Sequence, residues 1–269
     1  MQDSLHTLVR YSYFYLMFFG ANALAIYLVS GGYAIGLVPL ALTVIALSFA
    51  TERFIPYNPD WNRDHGDTRR DLLIGPTNQA FIVASVLLVP LFDFDKADWH
   101  LWPDHWALVW QLLLGVVIVD IGLASSHFLL HKINRLWPQH RLHHSMTRMY
   151  GFNGFMRHPT NQLLEFAPGA LPLLFLGINL EAAFLVVFAV TVQLLLQHSN
   201  VDYRAGVFRY LIAVNEVHRL HHLRNTAGEE GVNYSLFFTF WDMALGSFRL
   251  PSSDRMLTSD DIGLRPGRN

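Results

Sequence analysis

WALVWQLLLGVVIVDIGLASSHFLLHKINRLWPQHRLHH, residues 106–144, joins two signals in one segment. Its first part is apolar except for Gln111 and Asp120, and about 20 such residues suffice to cross a bilayer. It then delivers His127, His131, His140, His143 and His144 within a short span, and the closing pentapeptide His-Arg-Leu-His-His returns at 218–222. On a helix, residues at i, i+3 and i+4 share a face. Each pentapeptide is therefore expected to present three imidazoles from one patch, with His127 and His131 adding two. His198, at the end of another apolar stretch, completes a set of nine with His218, His221 and His222. Imidazole is the commonest side-chain ligand for borderline transition metals. Nine are too many for one ion and enough for two.

Working outward, four stretches are long enough to span a membrane, at 11–29, 33–50, 72–92 and 106–126. A fifth apolar region, 163–197, is too long for one crossing and is broken by Pro168, Pro172, Gly177 and Asn179. It reads as a re-entrant helical hairpin. The expected architecture is an all-α integral membrane protein with a single catalytic domain over 1–250. A helical cap built from 127–162 and 198–250 holds the histidines. The polar tail 251–269 is expected to be loosely ordered.

Composition agrees with this class. Of 269 residues, 52% are hydrophobic, and the mean hydropathy is positive. The formal net charge of −2, with no separate basic stretch, excludes a nucleic-acid binder. The chain has no cysteine, which rules out disulfides, thiolate zinc sites, rubredoxin-type centres and iron–sulfur clusters of its own. Met1-Gln2-Asp3-Ser4 lacks a basic leader, so the first apolar run reads as a retained span. With four spans and a hairpin, residues 1–10, 51–71, 127–162 and 198–269 share one side. Of the 19 lysines and arginines, Lys96 alone falls in the opposite loops. The positive-inside bias assigns the larger, histidine-bearing side to the cytoplasm. His100 and His105 fall on the far side among tryptophans, and His6 and His65 stand alone.

An isolated histidine on an apolar face is ordinarily a hydrogen-bonded core residue. Eight at helical spacing are different, because burying them without metal would require a separate partner for every ring. Two divalent ions held only by nitrogen also leave their charge uncompensated. Asp202 and Glu216 are candidate carboxylates near the site, as are Asp120 and Glu165, although each also reads as an ordinary acid.

The motifs His127-x-x-x-His131, His140-x-x-His143-His144 and His218-x-x-His221-His222 resemble the histidine boxes of the fatty acid hydroxylase/sterol desaturase superfamily. Gln197-His198-Ser199-Asn200-Val201 is similar too, as is Asn233-Tyr234 followed by Trp241-Asp242 and Gly246. The likeness covers about 115–250. It implies a non-haem diiron membrane enzyme that uses O₂ to attack a C–H bond of a lipid, giving a hydroxyl or a double bond. It also implies a cytosolic helical cap over transmembrane helices, and the nine histidines as iron ligands. Some members carry a further histidine where this chain has Asp202, so a tenth ligand is absent, replaced by Asp202, or supplied through Asn200 or Asn215. His158, in Arg157-His158-Pro159, lies in a similar segment but has no helical partner, and it stays outside the ligand set.

Oxygen insertion requires electrons that this chain has no centre to supply: no cysteine, and no Gly-x-Gly-x-x-Gly loop. A separate donor of ferredoxin, rubredoxin or cytochrome type is expected on the cytoplasmic face. The substrate is expected to be a membrane lipid arriving sideways, with Tyr150, Phe152, Phe155, Tyr234, Phe237, Phe238 and Trp241 either lining its entry or packing the cap. Arg141 and Arg219 are expected to point away from the metals, since one residue turns a helix by about 100°. Hydroxylation is preferred to desaturation. From other classes, a non-enzymatic metal-handling membrane protein would place ligands along the bilayer depth, and a two-metal hydrolase would use bridging carboxylates.

Overall fold

The computed structural model describes residues 2–87, 101–224, 231–253 and 255–264. Lys96, His100 and the end of the expected span 72–92 lie outside them. The chain is helical, and its only β pairing among the described residues is three isolated bridges.

Helix α1 (Gln2–Tyr15) runs through a π-turn at Leu16–Gly20 into α2 (Ala21–Ser30), and α3 (Leu37–Phe54) returns after Gly31-Gly32. Helices α4 (Thr68–Leu87) and α5 (Leu108–Lys132) follow. Then come a short α6 (Trp137–His140), α7 (Pro159–Leu176) and α8 (Leu180–His198). The chain closes with α9 (Asn215–His221) and α10 (Phe240–Leu245).

Among the described residues, four helices are long and apolar enough to cross a membrane: Asp3–Ser30, Ala34–Phe54, Leu108–Lys132 and Leu180–His198. Three coincide with expected spans. The fourth is the second arm of the expected hairpin, while the described part of 72–92 does not qualify. Burial separates their positions, because 78% of the apolar window of α8 is buried against 17% for Ala34–Phe54. Helix α8 is the central post, packed by α2, α3, α4, α5 and α9. The outer helices show their apolar side chains to the surroundings, as with Tyr27, Ile35 and Leu42. Outward Leu and Ile at this density suit lipid rather than water.

Small residues let α5 and α7 approach closely. A Cβ on Gly122 would overlap the Pro168 carbonyl, and one on Gly169 would stand 3.0 Å from the Val119 carbonyl. Without a hydrophobic drive between helices in lipid, such backbone approach is a main source of packing energy. The turn joining α7 to α8 uses Gly177 at φ 79° and Asn179, whose side chain accepts from the Ala182 N–H. That turn touches the start of α5: Asn179 Nδ2 donates to Asp104 at 2.6 Å and to Gln111 at 2.7 Å. The α7–α8 pair therefore runs alongside α5 as far as its first turn.

The described residues 255–264 of the tail are packed rather than loosely ordered. Ile262 is fully buried with Trp61, Met146 and Met149. Leu223 bridges Ile262, Arg224 N–H donates to the Asp261 carbonyl, and Gly263 N–H donates to the His222 carbonyl. Residues 255–264 form a strap across the histidine region. Its composition is polar, and a few apolar and backbone contacts hold it.

Candidate metal centre

All nine expected histidines converge, in two groups. His127, His131, His140, His144 and His221 form one, and His143, His198, His218 and His222 the other, with candidate ligand atoms within 4.8 Å of one another in each. Eight of the nine are buried, and His131 is partly so.

The grouping cuts across the sequence motifs. Each pentapeptide was expected to serve one patch, but His140 and His144 enter the first group while His143 enters the second. In the repeat, His221 joins the first group, and His218 and His222 the second. In the first pentapeptide the local backbone explains the split. Helix α6 ends at His140 and a 3₁₀ turn takes over at His143–Ser145, so three imidazoles no longer share one face. The two groups are thereby interlocked, with His144 and His222 ring centroids 4.7 Å apart.

The nitrogen spacings fit metal coordination. His140 Nε2 lies 3.0 Å from His127 Nε2 and 3.1 Å from His144 Nε2. In the second group, His198 Nε2 lies 3.3 Å from His143 Nε2 and 3.1 Å from His218 Nε2, and His222 to His218 is 3.1 Å. At a metal–imidazole distance of about 2.1 Å, neighbouring ligand nitrogens are about 3.0 Å apart in an octahedron and about 3.4 Å in a tetrahedron. Nε2 of His221 is buried with no hydrogen-bond partner, an orphan that an ion would satisfy.

The opposite ring nitrogens are anchored to the scaffold. Nδ1 of His127, His143, His198 and His221 faces the carbonyls of Tyr234, Met156, Leu194 and Val232 at 2.8, 3.3, 3.0 and 2.7 Å. A carbonyl only accepts, so the proton sits on Nδ1 and the Nε2 lone pair is free for a metal. Burial, followed by the crowding of neighbouring imidazoles, pushes His143, His144, His218, His221 and His222 well below the ordinary histidine pKa. They are neutral and ligand-competent at physiological pH.

Among the carboxylates, Glu165 reaches the cluster. It lies 2.9 Å from His140 Nδ1, which is also 3.2 Å from Asn161 Oδ1, and its other oxygen takes Arg157 at 2.7 Å. Asp120 instead accepts the N–H groups of Leu236, Phe237 and Phe238 at 2.9, 2.8 and 2.7 Å, and so fixes the segment beside Tyr234. Asp202 pairs with Arg10 and Arg204, and Glu216 with Arg209. The Asn200 and Asn215 side chains bond Asn58 and the Val201 carbonyl respectively. None of these four adds to either group. His158 is exposed and caps α7 by accepting from Thr160 N–H. Arg219 does turn away from the histidines, but it is buried, stacked 3.7 Å over Tyr57 and bonded to the Ser199 carbonyl.

Sequence reasoning missed Arg157 and Asn161. Their only signal was position, since Arg157 starts the segment that leads into α7 and Asn161 stands one turn before Glu165. Of the aromatics weighed for lipid entry, Phe237 and Phe238 line a lateral cavity, Tyr234 borders a small void at the histidines, and Tyr150 bonds Asp71.

The helical bundle thus combines four helices long and apolar enough to cross a membrane, among the described residues, with two buried all-histidine groups that could hold metal ions. The chain belongs to the fatty acid hydroxylase family, which matches residues 112–247, and it is an oxidoreductase by that membership. It is 33% identical over 236 residues to ornithine lipid hydroxylase OlsE of Rhizobium tropici, covering 83% of this chain and 69% of that one. It is 29% identical over 166 residues to alkylglycerol monooxygenase of Danio rerio, covering 60% of this chain and 35% of the relative. No solved structure matches it significantly.

Proposed function

We propose that this protein hydroxylates a C–H bond of a membrane lipid with O₂, at two iron ions held by the nine histidines. The observation that carries this reading is the convergence of nine buried imidazoles into groups of five and four at coordination spacing. Unequal groups leave the second with the more open position. The all-nitrogen donor set, without thiolate and, among the described residues, without a bridging carboxylate, favours redox-active iron over structural zinc or a two-metal hydrolase. Both named relatives insert oxygen into lipids, which favours hydroxylation over desaturation.

Bound iron would supply the activation of O₂ that an unactivated C–H bond demands. The chain's residues do the rest. Backbone carbonyls hold the imidazole tautomers, Glu165 and Arg157 steady His140, and the burial of the imidazoles keeps bulk water from the site. In the balance, one oxygen atom enters the C–H bond as a hydroxyl and the other leaves as water. Two electrons and two protons are consumed, the electrons coming from a separate ferredoxin, rubredoxin or cytochrome-type carrier. This reading takes the histidine side, with 127–162 and 198–250 as its cap, to face the cytoplasm where such carriers reside, and the lysine and arginine bias counted with 72–92 as a span supports it.

Comparative lipid mass spectrometry on cells expressing this chain or His143→Ala, with a compatible electron donor, tests the reading. The expected result is a lipid that gains one oxygen with the wild type alone. Loss of two hydrogens would make the enzyme a desaturase. Unchanged lipids despite iron-loaded protein and a working donor would sink the proposal.

A further inference from the structure

A polar cleft of about 350 Å³ lies on the side of α9 that carries Glu216, Arg219 and Leu220, none of them a candidate ligand. The strap and the residues leading into it form another wall, with Ser252, Ser253 and Arg255, and Tyr57 and Arg204 complete the lining.

Arg219 stands out in this wall. It is 4% exposed, and its guanidinium lies 3.7 Å from the centre of the Tyr57 ring. Nη2 donates to the Ser199 and Val201 carbonyls at 3.1 and 3.4 Å, whereas Nε is buried without a hydrogen-bond partner. Among the described residues no carboxylate forms an ion pair with it. A buried cation lacking a counter-charge is costly, and so is a buried donor lacking an acceptor.

The neighbouring acids are already engaged. Asp202 pairs with Arg10 and Arg204, and Glu216 with Arg209. Both oxygens of Asp261 take Arg255, at 2.7 and 3.0 Å. Asp260 also lines the cleft, but it is exposed to solvent. The uncompensated buried charge is therefore that of Arg219.

The position of the cleft narrows the choice of ligand. Tyr57 follows the end of α3 by three residues, and the Asp202 N–H donates to the Ile55 carbonyl. The Arg204 N–H donates to the Arg10 carbonyl, in the first half of the element Asp3–Ser30. The cleft thus lies beside two helices long and apolar enough to cross a membrane, near an end of each. Lipid headgroups begin at that level.

We propose that this cleft binds a phosphate group, with Arg219 as its buried counter-charge. The planar fork of a guanidinium matches phosphate oxygens, and Arg204, Arg255 and the two serines supply further donors around a single group. Two sources share this chemistry, the headgroup of a phospholipid and free phosphate from solution. The site lies outside the proposed oxidation and does not depend on it.

Two measurements on the iron-loaded full chain test the proposal. Calorimetric titration of inorganic phosphate into the detergent-purified protein reads the free anion. Native mass spectrometry of protein released from vesicles of phosphatidylglycerol and phosphatidylcholine reads any phospholipid retained. Saturable phosphate binding with no retained lipid identifies the free anion as the ligand. A retained phospholipid that Arg219→Gln no longer holds identifies the headgroup. Either result supports the proposal.

Arg219→Gln is expected to weaken binding about tenfold, the loss of a charged hydrogen-bond donor. Because Arg219 is buried between two histidines in the sequence, Ser253→Glu provides an independent variant. Ser253 is an exposed residue of the cleft wall, so the change adds negative charge there without disturbing the interior. It should weaken binding by a similar factor and leave iron content unchanged. Asn134→Glu, exposed and outside the cleft, should bind as the wild type does. Folded wild-type protein that neither binds millimolar phosphate nor retains a phospholipid overturns the proposal. So does binding that neither Arg219→Gln nor Ser253→Glu weakens.

Discussion

Glu165 and His140 are joined across the base of the first histidine group, a carboxylate oxygen 2.9 Å from Nδ1, and both side chains are almost wholly buried. Arg157 closes the other side of the same carboxylate at 2.7 Å. The arrangement brings a negative charge to a site whose ligands are all neutral, and it orients the one imidazole that both His127 and His144 approach.

Replacing Glu165 by Gln should therefore lower metal affinity by about 10–100-fold, the usual loss on removing a partner that orients a ligand histidine. Iron content after competition with a graded series of chelators measures it. Retention equal to wild type would show that Asn161 alone orients His140.

Asp120 holds three consecutive backbone N–H groups in the apolar interior. Asp120→Ala leaves them without an acceptor, at roughly 1–3 kcal/mol for each group that finds no substitute. A drop of several degrees or more in the detergent-solubilised unfolding temperature is expected, with loss of the Tyr234 contact to His127. Asp120→Asn, which keeps one acceptor oxygen, should be milder.

Gly122 faces the Pro168 carbonyl with no room for a side chain. Gly122→Leu must push α5 and α7 apart at the level of Glu165. The expected outcome is little monodisperse protein by size-exclusion chromatography, whereas Gly246→Ala serves as a surface comparison that strains only a local turn.

The strap over the second group should be separable from the bundle. Ile262→Ala removes a fully buried side chain and is expected to cost about 2–5 kcal/mol of local packing. Faster proteolysis within 255–264 and faster iron loss should appear together, because Gly263 N–H bonds the His222 carbonyl. Proteolysis that speeds up with no change in iron retention would remove the strap from the metal site.

Metal-stripped protein should lose stability as the pH falls. The folded-state pKa values of His143, His144, His218, His221 and His222 are depressed by burial. Unfolded imidazoles, near 6.5, take up protons first. The contribution is thus fully present above about pH 6.5 and declines below it. Thermal unfolding of the chelated protein from pH 8 to 5 checks the sign.

The membrane class, three of the four long apolar helices and all nine histidines were legible in the sequence. Each is written as a periodicity or a repeated residue type, and those survive without knowledge of the fold. The sequence also placed the break at Gly177 and Asn179, since a left-handed glycine and an Asn cap are local devices, whereas Pro168 and Pro172 lie within α7 and do not end it. What only the tertiary structure decided was partnership. The division of the first pentapeptide between two groups depends on where α6 yields to a 3₁₀ turn, and the second divides at the end of the regular helix α9. That Glu165 serves His140 while Asp202 and Glu216 serve arginines depends on which helices meet. The strap at 255–264 is held by Ile262, a few backbone bonds and the side chains of Tyr57, Asn58 and Arg224, contacts between distant segments that leave no local pattern. Local sequence encodes which groups a segment can offer, and packing between distant segments decides which of those offers are taken up.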